Sequence, residues 1–327
     1  MKPRLGFLGV GWIGQHRMMA IANSGRAEIV AVSDTSADAA AEASAVAGAP
    51  AVEPARLFDG SLDLDGMVIA TPTALHAEQA EKALDQGLAV FCQKPLGCTA
   101  GECSAVVEAA RRADRLLAVD LSYRHLVAVQ RMGEVMVSGE IGHIYAVELV
   151  FHNAYGPDKA WFSDPSLSGG GCVIDLGIHL VDLALWLLSC PKVEHVDARL
   201  FAGGRPMASA GGAVEDYAVA RLDLADGRVV NFACSWFLAA GQDAVIGATF
   251  VGTRGAVHLA NVGGSYYDFR AEVRHGTSVT SLAEPPDDWG GRAAVSWVRR
   301  LAAGEGFDPA NDELIEVASV LDRVYGR

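Results

Sequence analysis

The stretch SGGGCVIDLGIHLVDLALWLL, residues 168 to 188, places ionisable side chains at helical spacing within an apolar run. On a helix, Asp175, His179, Asp182 and Trp186 share one stripe, and a helix that is apolar on its other faces must be buried. Because imidazole titrates near neutral pH and a carboxylate one turn away can orient it, Asp175 and His179 are a candidate proton-transfer pair. A core histidine bonded to Asp182 is the structural alternative. The preceding glycines, which let a ligand come close, favour chemistry.

A second chemical pattern is LGVGWIGQHR, in which Gly9, Gly11 and Gly14 form G-x-G-x-x-G directly after an apolar strand and at the start of a helix. Gly9 permits a tight turn, Gly11 lets a pyrophosphate approach the backbone, and Gly14 brings helix against strand. Trp12 and Ile13 lie between the last two glycines. We predict a dinucleotide-binding loop here, and an ordinary loop is the weaker alternative.

Asp34, at the end of EIVAVSD, has the position expected of the acidic residue that binds the ribose hydroxyls. A carboxylate there repels a 2'-phosphate, and the following TSADAAAEA contains no arginine to receive one. We therefore predict NAD as the cofactor, with NADP disfavoured. A helix-capping role for Asp34 is compatible with this prediction.

Lys94 ends the apolar run AVFCQKP, where a solvated ammonium has no obvious reason to be. In a doubly wound sheet, ligands bind beyond the carboxyl ends of the strands, so Lys94 is expected near the nicotinamide. There it could donate to a carbonyl or alkoxide oxygen while hydride moves. A surface lysine whose stem packs on apolar residues is the alternative.

The first third of the chain alternates short apolar runs with alanine-rich helical stretches, which predicts a parallel sheet covered by helices. The predicted strands are RLGFLGV, EIVAVSD, GMVIATP, LAVFCQKP and LLAVDLSYRH. The predicted helices are IGQHRMMAIANSG, ALHAEQAEKALDQG and TAGECSAVVEAARRADR. We predict a Rossmann-type doubly wound domain over residues 1–123.

The rest of the chain, residues 124–327, is predicted to form an α+β domain with an open, mostly antiparallel sheet. A helical stretch near VQRMGEVMVSGEIG precedes alternating runs without crossover helices, and turns such as ADG and GTRG suit hairpins. The predicted strands are IYAVELVFHN, EHVDARLFA, DYAVARLDL, RVVNFACSWF, ATFVG and AVHLAN. Two terminal helices follow, AAVSWVRRLAAG and DELIEVASVLDRVYG. Either could pack back on the first domain.

Composition favours a protein that binds a small molecule. The 327 residues carry a formal net charge of -14, which disfavours nucleic acid and anionic membrane surfaces. The six cysteines form no C-x-x-C pair, and the N-terminus lacks the cleavage site of a signal peptide, so we expect a reduced, cytoplasmic protein. No second His or Cys pair stands near Asp175 and His179 in the sequence, so we expect no metal. The apolar run CVIDLGIHLVDLALWLLSC has nearly membrane-spanning length, but its ionisable residues favour a buried helix.

Together these segments resemble the glucose-fructose oxidoreductase, inositol dehydrogenase and rhizopine-catabolism family, called Gfo/Idh/MocA. The resemblance covers nearly the whole chain and rests on LGVGWIG, ATPTALHAEQAEKAL, CQKPLG and GGGCVIDLGIHLVDLALWL. It implies a Rossmann domain joined to a domain whose open sheet often makes subunit contacts, and hence a homodimer or homotetramer.

The resemblance also implies functions for individual residues. Lys94, Asp175 and His179 match the catalytic lysine, aspartate and histidine of the family. The loop that lines the cofactor matches Thr71, Pro72, Thr73 and His76. The Lys-Pro bond is often cis in relatives. One departure is Gln93, which stands where the family usually has glutamate and is still expected to bind the cofactor.

Substrate contacts are predicted, beyond Lys94 and His179, at the ends of strands and before the glycine run. The candidates are Tyr123, Arg124, His152, Asn153 and Trp161. Polar groups beside an aromatic ring suit a sugar or cyclitol, whose hydroxyls need several hydrogen bonds. For each of these residues singly, an ordinary loop or core position remains the alternative.

The resulting hypothesis is an NAD-dependent dehydrogenase or reductase acting on a secondary alcohol of a sugar, cyclitol or related polyol. One alternative is an enzyme with tightly bound, internally recycled NAD, such as an epimerase or a redox-assisted glycosidase. Another is a non-catalytic NAD-binding regulatory protein, although such a sensor has no need of Lys94, Asp175 and His179 together.

Overall fold

The computed structural model describes residues 2–207 and 213–327. By its internal contacts the chain forms two compact units, Met1–Ser122 with Gly290–Ile315, and Tyr123–Trp289 with Glu316–Arg327. The sequence predicts a single division of the chain, after residue 123. In the structure the segment 290–315 belongs to the first unit.

The first unit contains a five-stranded, all-parallel sheet in the order β2-β1-β3-β4-β5. The predicted doubly wound domain is thereby confirmed. Its strands are β1 Arg4–Leu8, β2 Glu28–Ser33, β3 Gly66–Ile69, β4 Ala89–Cys92 and β5 Leu117–Val119. Its first four helices are α1 Trp12–Ser24, α2 Ala37–Ala47, α3 His76–Asp85 and α4 Ala100–Ala113.

Helix α2 is absent from the helices predicted from the sequence. Its alanine-rich segment has high helix propensity but a weak apolar stripe, so periodicity alone does not reveal it. Ser36 accepts a hydrogen bond from the Ala39 N–H at 3.3 Å, and Gly48 ends the helix with a φ of +65°. Local capping therefore defines both ends of α2.

The second unit is built on a nine-stranded sheet in the order β14-β13-β12-β11-β6-β10-β9-β7-β8. Its pairs are antiparallel except for β6 with β10, so the predicted open, mostly antiparallel sheet is confirmed. Before β9 the elements are α5 Val127–Val137, β6 Ile144–Asn153, α6 Pro165–Ser168, α7 Ile178–Leu187, β7 Val193–Ala202 and β8 Arg205–Pro206. Strands β9 Tyr217–Leu224, β10 Val229–Ser235, β11 Ala244–Gly252, β12 Ala256–Asn261, β13 Phe269–His275 and β14 Ser278–Ala283 follow.

The sheet extends beyond the strands predicted from the sequence. Strand β11 begins at Ala244 rather than at the predicted ATFVG, and neither β13 nor β14 is among the predicted strands. In β13, Arg270, Glu272 and Arg274 alternate with buried residues, and β14 is largely exposed at the sheet edge. Strand β13 thus has the alternation of a half-buried strand, which the prediction overlooked, whereas the polar, exposed β14 lacks that signal.

The last two helices are α8 Arg292–Ala302 and α9 Asp312–Tyr325. Helix α8 belongs to the first unit, where the Trp297 ring lies 5.8 Å from the ring of Phe91 in β4. Most of α9 belongs to the second unit, and Val317, Val320, Leu321 and Val324 join the core there.

The segment leading into α7 is not the single regular α-helix that the sequence predicts. A π turn, Val173–Gly177, stands between α6 and α7 and contains Asp175. By length and composition alone, the helical stretch Pro165–Leu187 could span a membrane, and 78% of its most apolar window is buried within the protein. Buried core helices pass the same test.

A buried carboxylate holds the beginning of this helical stretch. Glu215, which is 1% exposed, accepts hydrogen bonds from the Gly171 and Val173 N–H groups at 3.0 and 2.9 Å and from the Tyr325 hydroxyl at 2.7 Å. A Cβ on Gly171 would lie 1.9 Å from the Glu215 carbonyl oxygen, so only glycine fits there. Glu215 thus satisfies N–H groups that a helix N-terminus leaves unpaired.

We predict that Glu215→Ala lowers the free energy of unfolding by about 3 kcal/mol, because it leaves buried N–H and hydroxyl donors without an acceptor. Urea or guanidinium unfolding measures the loss. Glu28→Ala, which removes an exposed partner of Arg4, should cost less than about 1 kcal/mol. Equal losses in both variants would contradict the capping role.

Candidate active site

The glycine-rich loop between β1 and α1 forms the cradle expected for a pyrophosphate. Gly9 has a φ of +86°, and a Cβ there would lie 2.5 Å from the carbonyl carbon of Ala70. A Cβ on Gly14 would lie 2.2 Å from the Gly9 carbonyl oxygen. Glycine at both positions therefore lets the turn, β3 and α1 come together, as dinucleotide binding requires.

The N-terminus of α1 is suited to an anion. Gly11 is the N-cap residue and contributes no side chain, while Trp12 and Ile13 begin the helix. The described first turn carries no acidic side chain, so no carboxylate there offsets the positive end of the helix dipole. The Trp12 ring is 65% exposed and lies 5.9 Å from the ring of His16.

Asp34 lies directly beyond β2 and joins that strand end to the glycine-rich loop. One carboxylate oxygen accepts from the Val10 N–H at 2.8 Å, and the other from the Ser36 N–H at 2.9 Å. Ser36, not Asp34, is the N-cap residue of α2. Since an ionised carboxylate has about four acceptor sites, Asp34 keeps capacity for ribose hydroxyls. The loop, the helix end and Asp34 together fit a bound dinucleotide.

His76, at the start of α3, joins two loops at the carboxyl ends of β3 and β4. It is 1% exposed, and its Nδ1 and Nε2 lie 2.6 and 2.7 Å from the carbonyl oxygens of Pro95 and Thr71. Burial lowers the pKa of His76, although both carbonyls favour its protonation. His76 thus braces the predicted cofactor loop, in which Pro72 precedes the buried Thr73.

Lys94 follows β4 and is half-buried, and its peptide bond to Pro95 is cis. The preceding Gln93 is 8% exposed, and its Nε2 donates to Oδ2 of Asp120 beyond β5. The Arg17 Nε donates to the same oxygen at 2.5 Å. The predicted cofactor residue Gln93 therefore belongs to a buried polar network.

In the second unit, Asp175 and His179 stand out from an otherwise buried segment. Of residues 171 to 180, these two are the only ones that are not fully buried. Asp175 lies in the π turn and accepts a hydrogen bond at 3.1 Å from the indole N–H of Trp236. Because π turns often occur at functional sites, this geometry supports a chemical role for the pair.

The imidazole of His179 packs against aromatic rings. Tyr123 lies 5.0 Å from it and Phe151 lies 6.1 Å from it, measured between ring centroids. Tyr123 is buried and also contacts Phe269 and Trp289. Burial, aided by the nearby Asp175 carboxylate, raises the pKa of Tyr123, so its phenol stays neutral. Tyr123 therefore supports the His179 ring from one side.

Trp161 is connected to Asp175 through a series of rings. It stacks on Phe162 at a centroid distance of 3.8 Å, and Phe162 meets Trp236 edge-on at 6.4 Å. Trp236 in turn donates to Asp175. The predicted substrate residue Trp161 thus belongs to the same aromatic group as the predicted proton-transfer pair.

Arg124 is held by Asp182 rather than lying at an open strand end. Its Nε and one terminal nitrogen donate to the buried Asp182 carboxylate at 3.1 and 2.6 Å, and its guanidinium lies 5.4 Å from the Trp186 ring. Burial raises the pKa of Asp182, and Arg124 opposes that shift. Asp182 and Trp186, predicted to share the stripe of His179, therefore engage Arg124.

His152 and Asn153 are neighbours on β6 and therefore lie on opposite faces of the sheet. His152 bonds the Ser235 hydroxyl at 2.8 Å and stacks on Tyr217, on the face opposite Phe151. Asn153 shares the face of Phe151, which contacts His179, and its buried Oδ1 has no partner within residues 2–207 and 213–327. Asn153, not His152, is thus on the side where a substrate hydroxyl could bind.

The sheet brings to Asp175 and His179 two residues that the sequence did not indicate, Trp236 and Phe151. Trp236 directly follows β10, and Phe151 precedes His152 on β6. Trp236 could have been recognised from the sequence, because it is a large aromatic residue with a polar N–H at the end of a predicted strand. Phe151 could not, because it occupies an apolar position of an alternating strand, as any core residue does.

Within the described ranges 2–207 and 213–327, no group of three or more His, Cys, Asp or Glu side chains is arranged to hold a metal ion. All six cysteines have free thiols.

Both parts of the chain match family models. Residues 4–121 match the model described as "Oxidoreductase family, NAD-binding Rossmann fold". Residues 129–258 match the "GFO/IDH/MocA C-terminal domain". Together the two models of this one family cover more than half of the chain.

Curated relatives and solved structures agree with this result. The D-glucoside 3-dehydrogenase of Escherichia coli is 27% identical over 60% of this chain and 58% of its own length. The D-apiose dehydrogenase of Paraburkholderia graminis is 28% identical over 89% of this chain and 74% of its own length. A levoglucosan dehydrogenase solved with NADH and levoglucosan has the same fold, with a TM-score of 0.84 at 21% identity over 99% of this chain and 96% of that one. The chain thus spans less than two thirds of the first of these relatives.

We predict that His76 makes stability pH-dependent. Because burial lowers its pKa below the usual 6.5, unfolding takes up a proton, and stability is lost as the pH falls below about 6.5. His76→Gln should therefore lose less in Tm than wild type between about pH 7.5 and pH 5.5. Calorimetry at both pH values measures the difference, and equal losses would contradict the prediction.

We also predict that Trp236→Phe lowers kcat by about tenfold while the protein remains folded. The substitution keeps the aromatic packing on Phe162 but removes the N–H that orients Asp175. Steady-state kinetics measures kcat, and Trp297→Phe, which removes an indole N–H without a partner among the described residues, provides a matched control. An unchanged kcat in Trp236→Phe would show that turnover does not require the hydrogen bond from the Trp236 indole to Asp175.

Proposed function

The chain belongs to the Gfo/Idh/MocA oxidoreductase family, as its motifs predict, and on that premise we propose that it is an NAD-dependent dehydrogenase or reductase. Its substrate is a sugar, cyclitol or related polyol, oxidised or reduced at one secondary carbon. The observation that carries the proposal is the pair Asp175 and His179, which alone stay accessible in a buried segment, with Asp175 held by Trp236.

The proposed roles follow from the chemistry of each side chain. In the oxidative direction, His179 takes the hydroxyl proton as the substrate carbon loses its hydride, leaving a ketone. Asp175 orients the imidazole and stabilises its charged form. Lys94 donates a hydrogen bond to the reacting oxygen and stabilises the charge that develops there. Bound NAD supplies the hydride acceptor.

The second unit supports a polyhydroxylated substrate. The buried Oδ1 of Asn153 has no partner among the described residues, and a substrate hydroxyl would satisfy it. A group of aromatic rings, Trp161, Phe162 and Trp236, lies next to the Asp175 carboxylate. Acceptors beside aromatic rings suit sugars, which have polar edges and apolar faces.

Asp34 favours NAD over NADP. Its carboxylate already accepts from the Val10 and Ser36 N–H groups, which keeps it at the end of β2. A 2'-phosphate would meet this negative charge, and residues 35 to 43 contain no arginine to offset it.

The same proposal includes a cytoplasmic homodimer or homotetramer with no nucleic-acid or membrane partner. Support for subunit contacts comes from the sheet face opposite Phe151, where Val150, Ala233 and Gly247 lie side by side and partly exposed. The six free cysteines suit a reducing compartment.

The decisive experiment follows absorbance at 340 nm with purified protein, NAD, and a panel of inositols, aldoses and sugar acids, with a parallel NADP series. We expect NADH to form with one substrate class. Lys94→Ala and His179→Ala should each lower kcat by about 10² to 10⁴-fold while NAD affinity is kept. His195→Ala and Lys192→Ala, which change exposed residues, are the matched controls.

The outcomes separate the alternatives. Full turnover in both Lys94→Ala and His179→Ala would refute the assigned roles, and a preference for NADP would refute the role of Asp34. NAD that survives purification, with a flat trace, would favour an internally recycled cofactor. Tight NAD binding without turnover of any polyol or ketose would favour a regulatory protein.

We further predict that Asn153→Leu raises KM for the substrate by about tenfold or more and leaves NADH affinity unchanged. Leucine is close in size to asparagine but cannot accept the hydrogen bond that the buried Oδ1 offers. Val150→Thr, on the opposite face of β6, serves as the control. An unchanged KM would exclude Asn153 from the substrate site.

A further inference from the structure

The buried network behind Gln93 has no function in the proposal above. Gln93, Asp120 and Arg17 are 8%, 1% and 6% exposed. The Asp120 Oδ2 accepts from both the Gln93 Nε2 and the Arg17 Nε, each at 2.5 Å. Its Oδ1 accepts from the Ser122 hydroxyl, which also receives a hydrogen bond from Arg17. Both carboxylate oxygens are therefore engaged.

This network determines which way the Gln93 amide faces. An aspartate paired with an arginine only accepts hydrogen bonds, so it must meet the amide nitrogen of Gln93 and not the amide oxygen. The side-chain oxygen of Gln93 is then its one remaining polar atom. Within residues 2–207 and 213–327, the hydrogen bond of the Gln93 side chain uses only its nitrogen.

Gln93 directly follows β4, at the edge of the sheet where a doubly wound fold binds its ligand. An amide can ordinarily present either a donor or an acceptor, whereas a carboxylate presents acceptors alone. With its nitrogen bound to Asp120, Gln93 also presents only an acceptor, but without a charge.

We propose that Asp120, held by Arg17, is a positioning residue that orients the Gln93 amide, so that its carbonyl oxygen accepts a hydrogen bond from a hydroxyl or amide donor at the nicotinamide end of the bound dinucleotide. Because Asp120 occupies the amide nitrogen, Gln93 presents only a hydrogen-bond acceptor to the cofactor. The inference rests on the proposed function, since it needs a bound dinucleotide.

The test measures NADH affinity by fluorescence titration of the full chain, which requires no knowledge of the substrate. Gln93→Met removes the acceptor and leaves the pair of Arg17 and Asp120 intact, so it should stay folded. We expect its Kd for NADH to rise about tenfold, the effect of one hydrogen bond. Asp120→Ala should give a similar rise, because it removes the oxygen to which the Gln93 nitrogen donates.

Two conservative variants at these positions extend the test. In Gln93→Glu alone, two carboxylates face each other, and affinity should fall about tenfold. In Asp120→Asn, Arg17 still donates to the oxygen that meets Gln93, so the amide keeps its orientation. Its Kd should stay within about threefold of wild type.

The control is Asp308→Asn, which removes a carboxylate partner of Arg300 in the same unit. Asp308 lies near the amino end of β5, because the neighbouring Asn311 donates to the carbonyl of Leu117, the first residue of that strand. It should bind NADH within about twofold of wild type.

The outcomes distinguish this inference from the proposed function. If wild type fails to bind NADH, both are overturned. If wild type and Gln93→Met bind NADH equally well, only the role of Gln93 and Asp120 is overturned. If Asp120→Asn binds NADH as weakly as Asp120→Ala, the orienting role of Asp120 is also overturned, whereas near-wild-type affinity supports it.

Discussion

The second unit depends on one constraint: an apolar helix can be buried only if its polar backbone ends find partners. Helix α7 is buried in the core of this unit, where it packs against β6, and Glu215 accepts hydrogen bonds from the N–H groups of Gly171 and Val173 ahead of it. The carboxylate is itself buried, which raises its pKa, and the Tyr325 hydroxyl and these N–H groups oppose that shift. The π turn that follows contains Asp175, and His179 lies two residues beyond it. These two side chains are partly exposed, whereas the rest of residues 171 to 180 is buried.

A related constraint governs the first unit. Parallel strands bring their carboxyl ends to one edge, and the loops there must satisfy their own polar groups while leaving room for a ligand. Asp34 accepts from the N–H of Val10, His76 meets the carbonyls of Thr71 and Pro95, and Asp120 binds Arg17 and Gln93. These side chains link successive strand ends to one another. Polar contacts therefore stabilise the cofactor edge in addition to the buried apolar side chains of Val10, Ile69 and Leu96.

Much of this architecture is predictable because it is local in the chain. The glycine spacing, the strand before it and the helix after it lie within about twenty residues, and the structure places Gly9 and Gly14 where a Cβ would collide with the backbone. Among the strands that escaped prediction, β13 has an apolar alternation that was overlooked, and β14 is an exposed edge strand without one. Helix α2 escaped because alanine contributes propensity but little periodicity.

By itself, the sequence determined the two fold classes and the family, because apolar periodicity and short motifs depend on residues that are close along the chain. It also indicated Asp175 and His179, since ionisable groups in an apolar run must have partners or a cavity. Only the tertiary structure decided that Trp236 meets Asp175, that Arg124 meets Asp182, and that the face of β6 with Phe151 and Asn153 is the one that meets His179. Those contacts join residues some 60 positions apart, or depend on strand register and the π turn, neither of which local spacing encodes.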